Sequence, residues 1–176
     1  MPRKDLINSL GARAPLSHIE SGSTSTGAAI SARNLVIMTV SRSDSGFTLC
    51  PAASAQFEHQ GRDQSSLLQL HEDLNALVRR SRIRRIYVRV APERGQYAST
   101  ASGYKSEALL QLLTGVRTEL VYPATILAWV RKYGDLAPAP ALRLKSQSLA
   151  LHRAAIATAC MAAEGSLSRS LNGTIH

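Results

Sequence analysis

Residues 79–99 read RRSRIRRIYVRVAPERGQYAS, and two patterns overlap in this stretch. Its seven arginines are Arg79, Arg80, Arg82, Arg84, Arg85, Arg89 and Arg94. Among them, Ile86, Val88 and Val90 alternate with Tyr87 and Arg89, which is the period of a strand with one buried face. The stretch is therefore either a basic nucleic-acid-binding arm or a buried strand of the sheet. The alternation favours a strand over 82–90, and the pattern of the neighbouring segments agrees with it.

Strands and helices are predicted on both sides of this stretch. The predicted strands are 34–40, 47–51, 53–59, 82–90 and 118–123. The predicted helices are 63–80, 102–115, 123–134 and 142–164. The first helix has leucines at helical spacing, and Asp63 or Ser65 is placed to cap its start. The last helix has an Ala-rich second half that can pack very closely against a sheet.

This order of elements predicts the fold class. An antiparallel meander followed by alternating helices and strands gives an α/β domain with a mixed sheet and helices on both faces. We place this domain at residues 33–164. Residues 1–32 are poor in large apolar side chains after Leu16, so we expect a flexible N-terminal arm, and we expect a flexible tail at 165–176.

Composition restricts the classes of partner. The chain has 21 Lys and Arg against 12 Asp and Glu, a net charge of +9 that favours polyanions such as DNA or RNA. No apolar run approaches the roughly 20 residues that cross a bilayer, and MPRKDLINSL has no apolar signal-peptide core. We therefore expect a cytoplasmic protein without a membrane partner. Cys50 and Cys160 match no metal spacing and are expected to be reduced thiols, and no metal or cofactor is expected.

Three short motifs in order carry a resemblance to a known family. They are IYVRVAPERG, SGYKSEALLQLL and VYPATILAWVRKYG, all within residues 83–134. This part of the chain resembles the bacterial domain of unknown function 3010 family, and the resemblance extends over roughly residues 34–164. It implies a ribonuclease H-like fold that is distantly similar to the Holliday-junction resolvases. The stretch HRAAIATA (152–159) of this chain is similar to a run in the terminal helix of those resolvases.

The resemblance also implies where a catalytic site would lie. Nucleases of this superfamily hold two metal ions, about 3.5–4 Å apart, on acids from the first strand, the strand after the first helix and the terminal helix. Matched to this sequence, those positions fall at Thr39, Val90 and Arg153. None of them is acidic, and an arginine would put a permanent cation where the metals bind. The resemblance thus implies a degenerate nuclease site.

Three functional hypotheses remain open at this point. The first is a non-catalytic domain that binds nucleic acid through basic side chains. Its candidate binding residues are Arg79, Arg80, Arg82, Arg84, Arg85, Arg94, Lys105 and Arg153. The second is a protein-interaction module, a homodimer or part of a larger complex, that uses the N-terminal arm. The third is a metal-dependent nuclease whose acids have moved to Glu93 and Glu107.

Overall fold

The structure, a computed structural model, describes residues 23–58, 63–90, 100–139 and 146–172, with the side chains of the last segment described for 149–165. The strands are β1 Thr24–Ile30, β2 Asn34–Ser43, β3 Gly46–Leu49, β4 Ala55–Glu58, β5 Arg85–Arg89 and β6 Arg117–Val121. The helices are α1 Gln64–Ser81, α2 Ala101–Gln111, α3 Pro123–Tyr133 and α4 Ser146–Asn172. None of the helices in these ranges is long and apolar enough to cross a membrane.

The strands form one mixed sheet, which confirms the predicted fold class. Its order is β3-β2-β1-β5-β6, and β4 also pairs with β2. The pairs β1–β2, β2–β3 and β2–β4 are antiparallel, whereas β1–β5 and β5–β6 are parallel. The alternating stretch within 79–99 is thus an internal strand, as its period predicts.

Helices cover both faces of the sheet, and each face has its own core. On one face, α1 and α2 pack on the apolar side chains of β1, β2 and β5, with Leu35, Ile37 and Ile86 among those buried. On the other face, α3 and α4 pack on the opposite side chains of β1, β2 and β6, including Val36, Met38 and Val121. Since neighbouring residues of a strand point to opposite faces, successive residues of β2 belong alternately to the two cores.

The largest correction to the sequence analysis concerns β1. Thr24–Ile30, expected to belong to a flexible arm, pairs with β2 along its whole length, from Thr24 opposite Ser41 to Ile30 opposite Leu35. Its side chains are small, so the apolar pattern of a strand is weak there, and its burial comes from the neighbouring strands and α4. These residues belong to the sheet and are not free to grasp a partner. The earlier part of the arm, 1–22, lies outside the described residues.

The remaining elements follow the predictions closely. Helix α1 begins after Asp63, whose carboxylate accepts a hydrogen bond from the Ser66 amide at 2.8 Å, the contact of an N-terminal cap. A hydrogen bond from the Ser65 hydroxyl, together with this contact and one from the Ser66 hydroxyl, lowers the pKa of Asp63 to about 2. Helix α4 is longer than predicted, because it continues to Asn172, into the segment expected to be a tail.

Candidate nucleic-acid interface

The first region of functional interest is the contact between β1 and α4, where the resemblance puts a nuclease's metal site. A metal held by the terminal helix and the first strand must lie on the α4 face of the sheet. On β1, the residues on that face are Ser25, Gly27 and Ala29, since Ala29 packs in the core beneath α4 and Ala28 in the opposite core. The β1 strand TSTGAAI and the β5 strand RIYVR contain no Asp or Glu.

At Gly27 the helix lies directly on the strand. A Cβ atom added at Gly27 would overlap the carbonyl oxygen of Ala155 and would lie 2.5 Å from the amide nitrogen of Ala159. These two alanines are four residues apart, so they face β1 from successive turns of α4. The backbone of the helix is therefore in direct contact with the strand at Gly27. Further along the helix, Glu164 accepts a hydrogen bond from the Trp129 indole at 3.3 Å and lies 3.9 Å from Arg42.

The residues matched to the three acid positions do not meet at this contact. Thr39 is on β2, not on the first strand, and its hydroxyl lies 2.9 Å from that of Thr26 and donates to the carbonyl of Ala53 at 2.8 Å. Val90 is half-buried and follows β5, whose Val88 faces the α1 core, so the strand period directs Val90 away from α4. Arg153 is exposed on α4. The assignment of Thr39 to the first strand was wrong because β1 lies earlier in the chain.

Of the two fallback acids, the structure describes Glu107. Glu107 lies on α2, on the face of the sheet opposite α4, where partial burial raises the pKa of its carboxyl. Glu93 lies outside the described residues. Within the described segments, no three His, Cys, Asp or Glu side chains are grouped as metal ligands would be.

A second region gathers the arginines of the opening stretch at the amino end of β5. Helix α1 ends there, and β5 begins four residues later. We define the basic edge as the four exposed arginines of this connection: Arg79, Arg80, Arg82 and Arg84. In the part of the chain that the structure describes, none of their guanidinium groups has a carboxylate within 4.0 Å. Four like charges without counter-ions form a surface suited to a polyanion.

Arg82 holds an unusual backbone conformation within the basic edge. It has φ 53° and ψ 33°, and it is the one residue other than glycine with positive φ among those described. Its amide donates to the carbonyls of Arg79 and Val78, and the Ile83 amide donates to Val78 at 3.1 Å, which closes the end of α1. Glycine is the usual residue at such a position. An arginine in this left-handed conformation carries a conformational cost that a glycine would avoid.

Next to the basic edge, two further arginines are paired. Arg117 begins β6 opposite Arg85. The Nε atoms of Arg85 and Arg117 lie 3.5 and 3.2 Å from Oε1 of Glu119, and Arg85 also donates to the Tyr87 hydroxyl at 3.1 Å. This hydrogen bond and, less strongly, the Glu119 charge raise the pKa of Arg85. Arg117 was missed by the sequence analysis, and only the parallel pairing of β5 with β6 brings it here.

The eight candidate binding residues therefore do not form one surface. Arg79, Arg80, Arg82, Arg84 and Arg85 lie together at the amino ends of the parallel strands. Lys105 is exposed on α2 and Arg153 is exposed on α4, so they lie on opposite faces of the sheet. Arg94 lies outside the described residues. Of the eight candidates, the fold therefore brings together the four arginines of the basic edge and the adjacent Arg85.

Comparison with known proteins gives a family and a fold. Residues 25–162 match the family described as "Protein of unknown function (DUF3010)". No curated protein matches the chain. Among solved structures, the chain is similar to Thermus thermophilus RuvC, with 12% identity, a TM-score of 0.65 and coverage of 83% of this chain and 97% of RuvC. A structure titled "T. thermophilus RuvC in complex with Holliday junction substrate" is also similar, with 13% identity, a TM-score of 0.63 and coverage of 82% and 96%. The fold is thus ribonuclease H-like, as the resemblance implies.

Proposed function

The chain belongs to the DUF3010 family, and we propose that it is a non-catalytic ribonuclease H-like domain that binds nucleic acid through the basic edge. The observation that carries the proposal is the set of four exposed arginines at one end of the sheet that have no carboxylate partner among the described residues. Arginine side chains bind phosphate oxygens in bidentate fashion and stack on bases. In keeping with two free cysteines, one buried and one half-buried, we expect the domain to act in the cytoplasm.

The contact between β1 and α4 supports the non-catalytic part of the proposal. A two-metal nuclease needs carboxylates from the first strand and space for a phosphate beside it. Here small residues let the helix backbone lie against Gly27, and β1 and β5 provide no acid. The similar RuvC structure contains a Holliday junction substrate, which supports a nucleic-acid partner for this fold without giving the mode of binding.

The proposed binding surface does not lie where ligands commonly bind to sheets of this class. In open α/β sheets, ligands commonly bind beyond the carboxyl ends of the parallel strands. The basic edge lies at the amino ends of β5 and β6 instead. We therefore infer that contacts are made to the phosphate backbone by flexible, exposed side chains, so that affinity depends strongly on salt and weakly on sequence.

The experiment is a mobility-shift titration of DNA and RNA duplexes, junctions and single strands, with and without Mg²⁺ and Mn²⁺. Reversal of Arg79, Arg80 and Arg84 to Glu should abolish binding and leave the melting temperature nearly unchanged. A matched triple reversal of the exposed residues Arg33, Arg131 and Lys132 changes net charge equally and should retain most of the binding. Equal loss in both triples would show that only net charge matters and would contradict the basic edge.

The same titration tests the remaining catalytic hypothesis. We expect every substrate to remain intact in the presence of either metal. Cleavage that disappears in Glu93→Ala or Glu107→Ala would overturn the non-catalytic part of the proposal and would identify relocated acids. Binding without cleavage, lost only in the basic-edge triple, is the result that supports it.

A further inference from the structure

The two edges of the sheet are built differently. At one edge, β3 and β4 both pair with β2 but are separated by a 3₁₀ turn at Pro51–Ala53, which interrupts the edge. At the other edge, β6 pairs with β5, and no strand within the described residues pairs with its outer side. Soluble proteins usually protect an open edge with Pro, charged side chains or a bulge. The β6 sequence RTELV has no Pro and no Lys, and its two charged residues, Arg117 and Glu119, have opposite signs.

The outer side of β6 presents unused backbone groups. The Arg117 amide donates to the Arg84 carbonyl, and the Val121 carbonyl accepts from the Val90 amide, so residues 117 and 121 are bonded towards β5. In a parallel pair, every second residue of a strand makes its hydrogen bonds to the neighbour. Thr118 and Leu120 therefore direct their N–H and C=O groups outward. The Thr118 side chain is already held, because its hydroxyl donates to the Leu110 carbonyl at 2.9 Å.

The charges of β6 select one way of pairing two copies. In an antiparallel pair centred on Thr118, each Arg117 lies opposite Glu119 of the second copy, and each Val116 lies opposite Leu120 of the second copy. Moving the two-fold axis by one residue puts Arg117 opposite Arg117 or Glu119 opposite Glu119, and like charges directly opposite each other are unfavourable. Only the register centred on Thr118 pairs opposite charges twice and uses the outward backbone groups.

The exposure of the Arg117 and Leu120 side chains allows them to contact a second copy in this register. The Arg117 side chain is 69% exposed and can reach across, whereas Glu119 is 22% exposed and held by Arg85 and Arg117 of its own chain. Leu120 is 46% exposed on the opposite face of the sheet. We propose that β6 is the interface of a homodimer, in which two sheets join edge to edge through antiparallel β6 strands centred on Thr118. The two-fold symmetry closes the assembly at two chains.

The test measures the oligomeric state of the full chain by analytical ultracentrifugation across a concentration series. We expect a reversible dimer whose dissociation constant rises at least about tenfold in Arg117→Glu, since two favourable cross-strand pairs become repulsive. Leu120→Lys should have a similar effect, because a lysine protects an open edge. Arg84→Glu, a charge reversal at the neighbouring exposed position outside β6, should leave the dimer unchanged.

A mixing experiment tests the register itself. Arg117→Glu and Glu119→Arg should each be monomeric alone, and their equimolar mixture should form a heterodimer, because each Glu then lies opposite an Arg. If Glu119→Arg fails to fold, the pair Arg117→Glu and Glu119→Gln is mixed instead, and partial recovery is expected. A monomeric wild-type chain, or a dimer that Arg117→Glu and Leu120→Lys do not weaken, overturns the proposal.

Discussion

At the contact between β1 and α4, small side chains let two backbones touch. At the basic edge, by contrast, long cationic side chains are exposed and have no carboxylate within 4.0 Å among the described residues. Gly27 lies against Ala155 and Ala159 at the first region, and four arginines surround the end of α1 at the second. The first region is where the resemblance implies catalysis, and its described residues pack closely together. The difference supports the proposal that this domain keeps the packed frame of its fold and binds nucleic acid through its surface.

The largest loss of stability is expected for Gly27→Ala, at the contact between β1 and α4. Its added methyl group meets backbone atoms of α4, which cannot rotate away, so the helix must shift off the sheet. We expect a loss of about 3 kcal/mol or more in the free energy of unfolding, at the upper end for added volume in a packed core. Denaturant unfolding followed by circular dichroism measures it. Gly165→Ala, on the same helix with nothing within 4 Å, should instead gain about 0.5–1 kcal/mol.

A Gly27→Ala variant as stable as the wild type would contradict the close contact. It would mean that α4 can move away from β1 at little cost. In that case a ligand could enter between them, and the catalytic hypothesis would regain support. The Gly165→Ala control separates this outcome from a general tolerance of α4 to substitution.

The next largest effect is expected for Ala29→Asp, which restores an acid to the α4 face of the first strand. Ala29 is fully buried in the core beneath α4. An unpaired carboxylate there costs several kcal/mol, and burial raises its pKa. The cost should therefore shrink as the pH falls below that raised pKa towards the ordinary Asp value of about 3.9. Melting temperatures of Ala29→Asp and the neutral control Ala29→Asn, measured over a range of pH, should converge at acidic pH. We expect no metal-dependent cleavage from Ala29→Asp.

The result would be contradicted by an Ala29→Asp variant that melts like the wild type and is further stabilised by Mg²⁺. Such a variant would mean that the strand can still assemble a metal site. Equal destabilisation by Asp and Asn at every pH would instead attribute the cost to side-chain volume alone.

The sequence predicts these two regions unequally. Leucines at helical spacing and the Asp63 cap predict α1, and the alternation of Ile86 and Val88 predicts β5, because these signals are local. Strand β1 carries no such signal, since Thr, Ser, Gly and Ala gain their burial from partners distant in sequence. The Ala-rich second half of α4 predicts a close contact, but only the fold shows that Gly27 is its partner.

The arginines show the same limit. A run of basic residues predicts charge, but the Arg85–Glu119–Arg117 cluster depends on the pairing of β5 with β6. The other four arginines have no carboxylate partner in the part of the chain that the structure describes. The αL conformation of Arg82 is likewise set where α1 ends and Ile83 enters the core, not by its own residue type. Residues whose environment is assembled from distant segments are the ones that sequence patterns do not identify.

The smallest expected effect gives the sharpest separation of stability from binding at the basic edge. Arg82→Gly removes the cost of a left-handed backbone at φ 53°, so we expect unfolding to become harder by about 1 kcal/mol. The same change removes one cation, so nucleic-acid binding should weaken, and the log–log salt slope should flatten by roughly 0.7–0.9. Arg82→Ala loses the cation but keeps the backbone cost, so it should match the binding loss without the gain in stability. Arg82→Gly is thus expected to raise stability and lower affinity through one residue. An Arg82→Gly variant that is more stable but binds as well as the wild type would exclude Arg82 from the interface. An Arg82→Gly variant that is less stable would mean that the Arg82 guanidinium supports the fold.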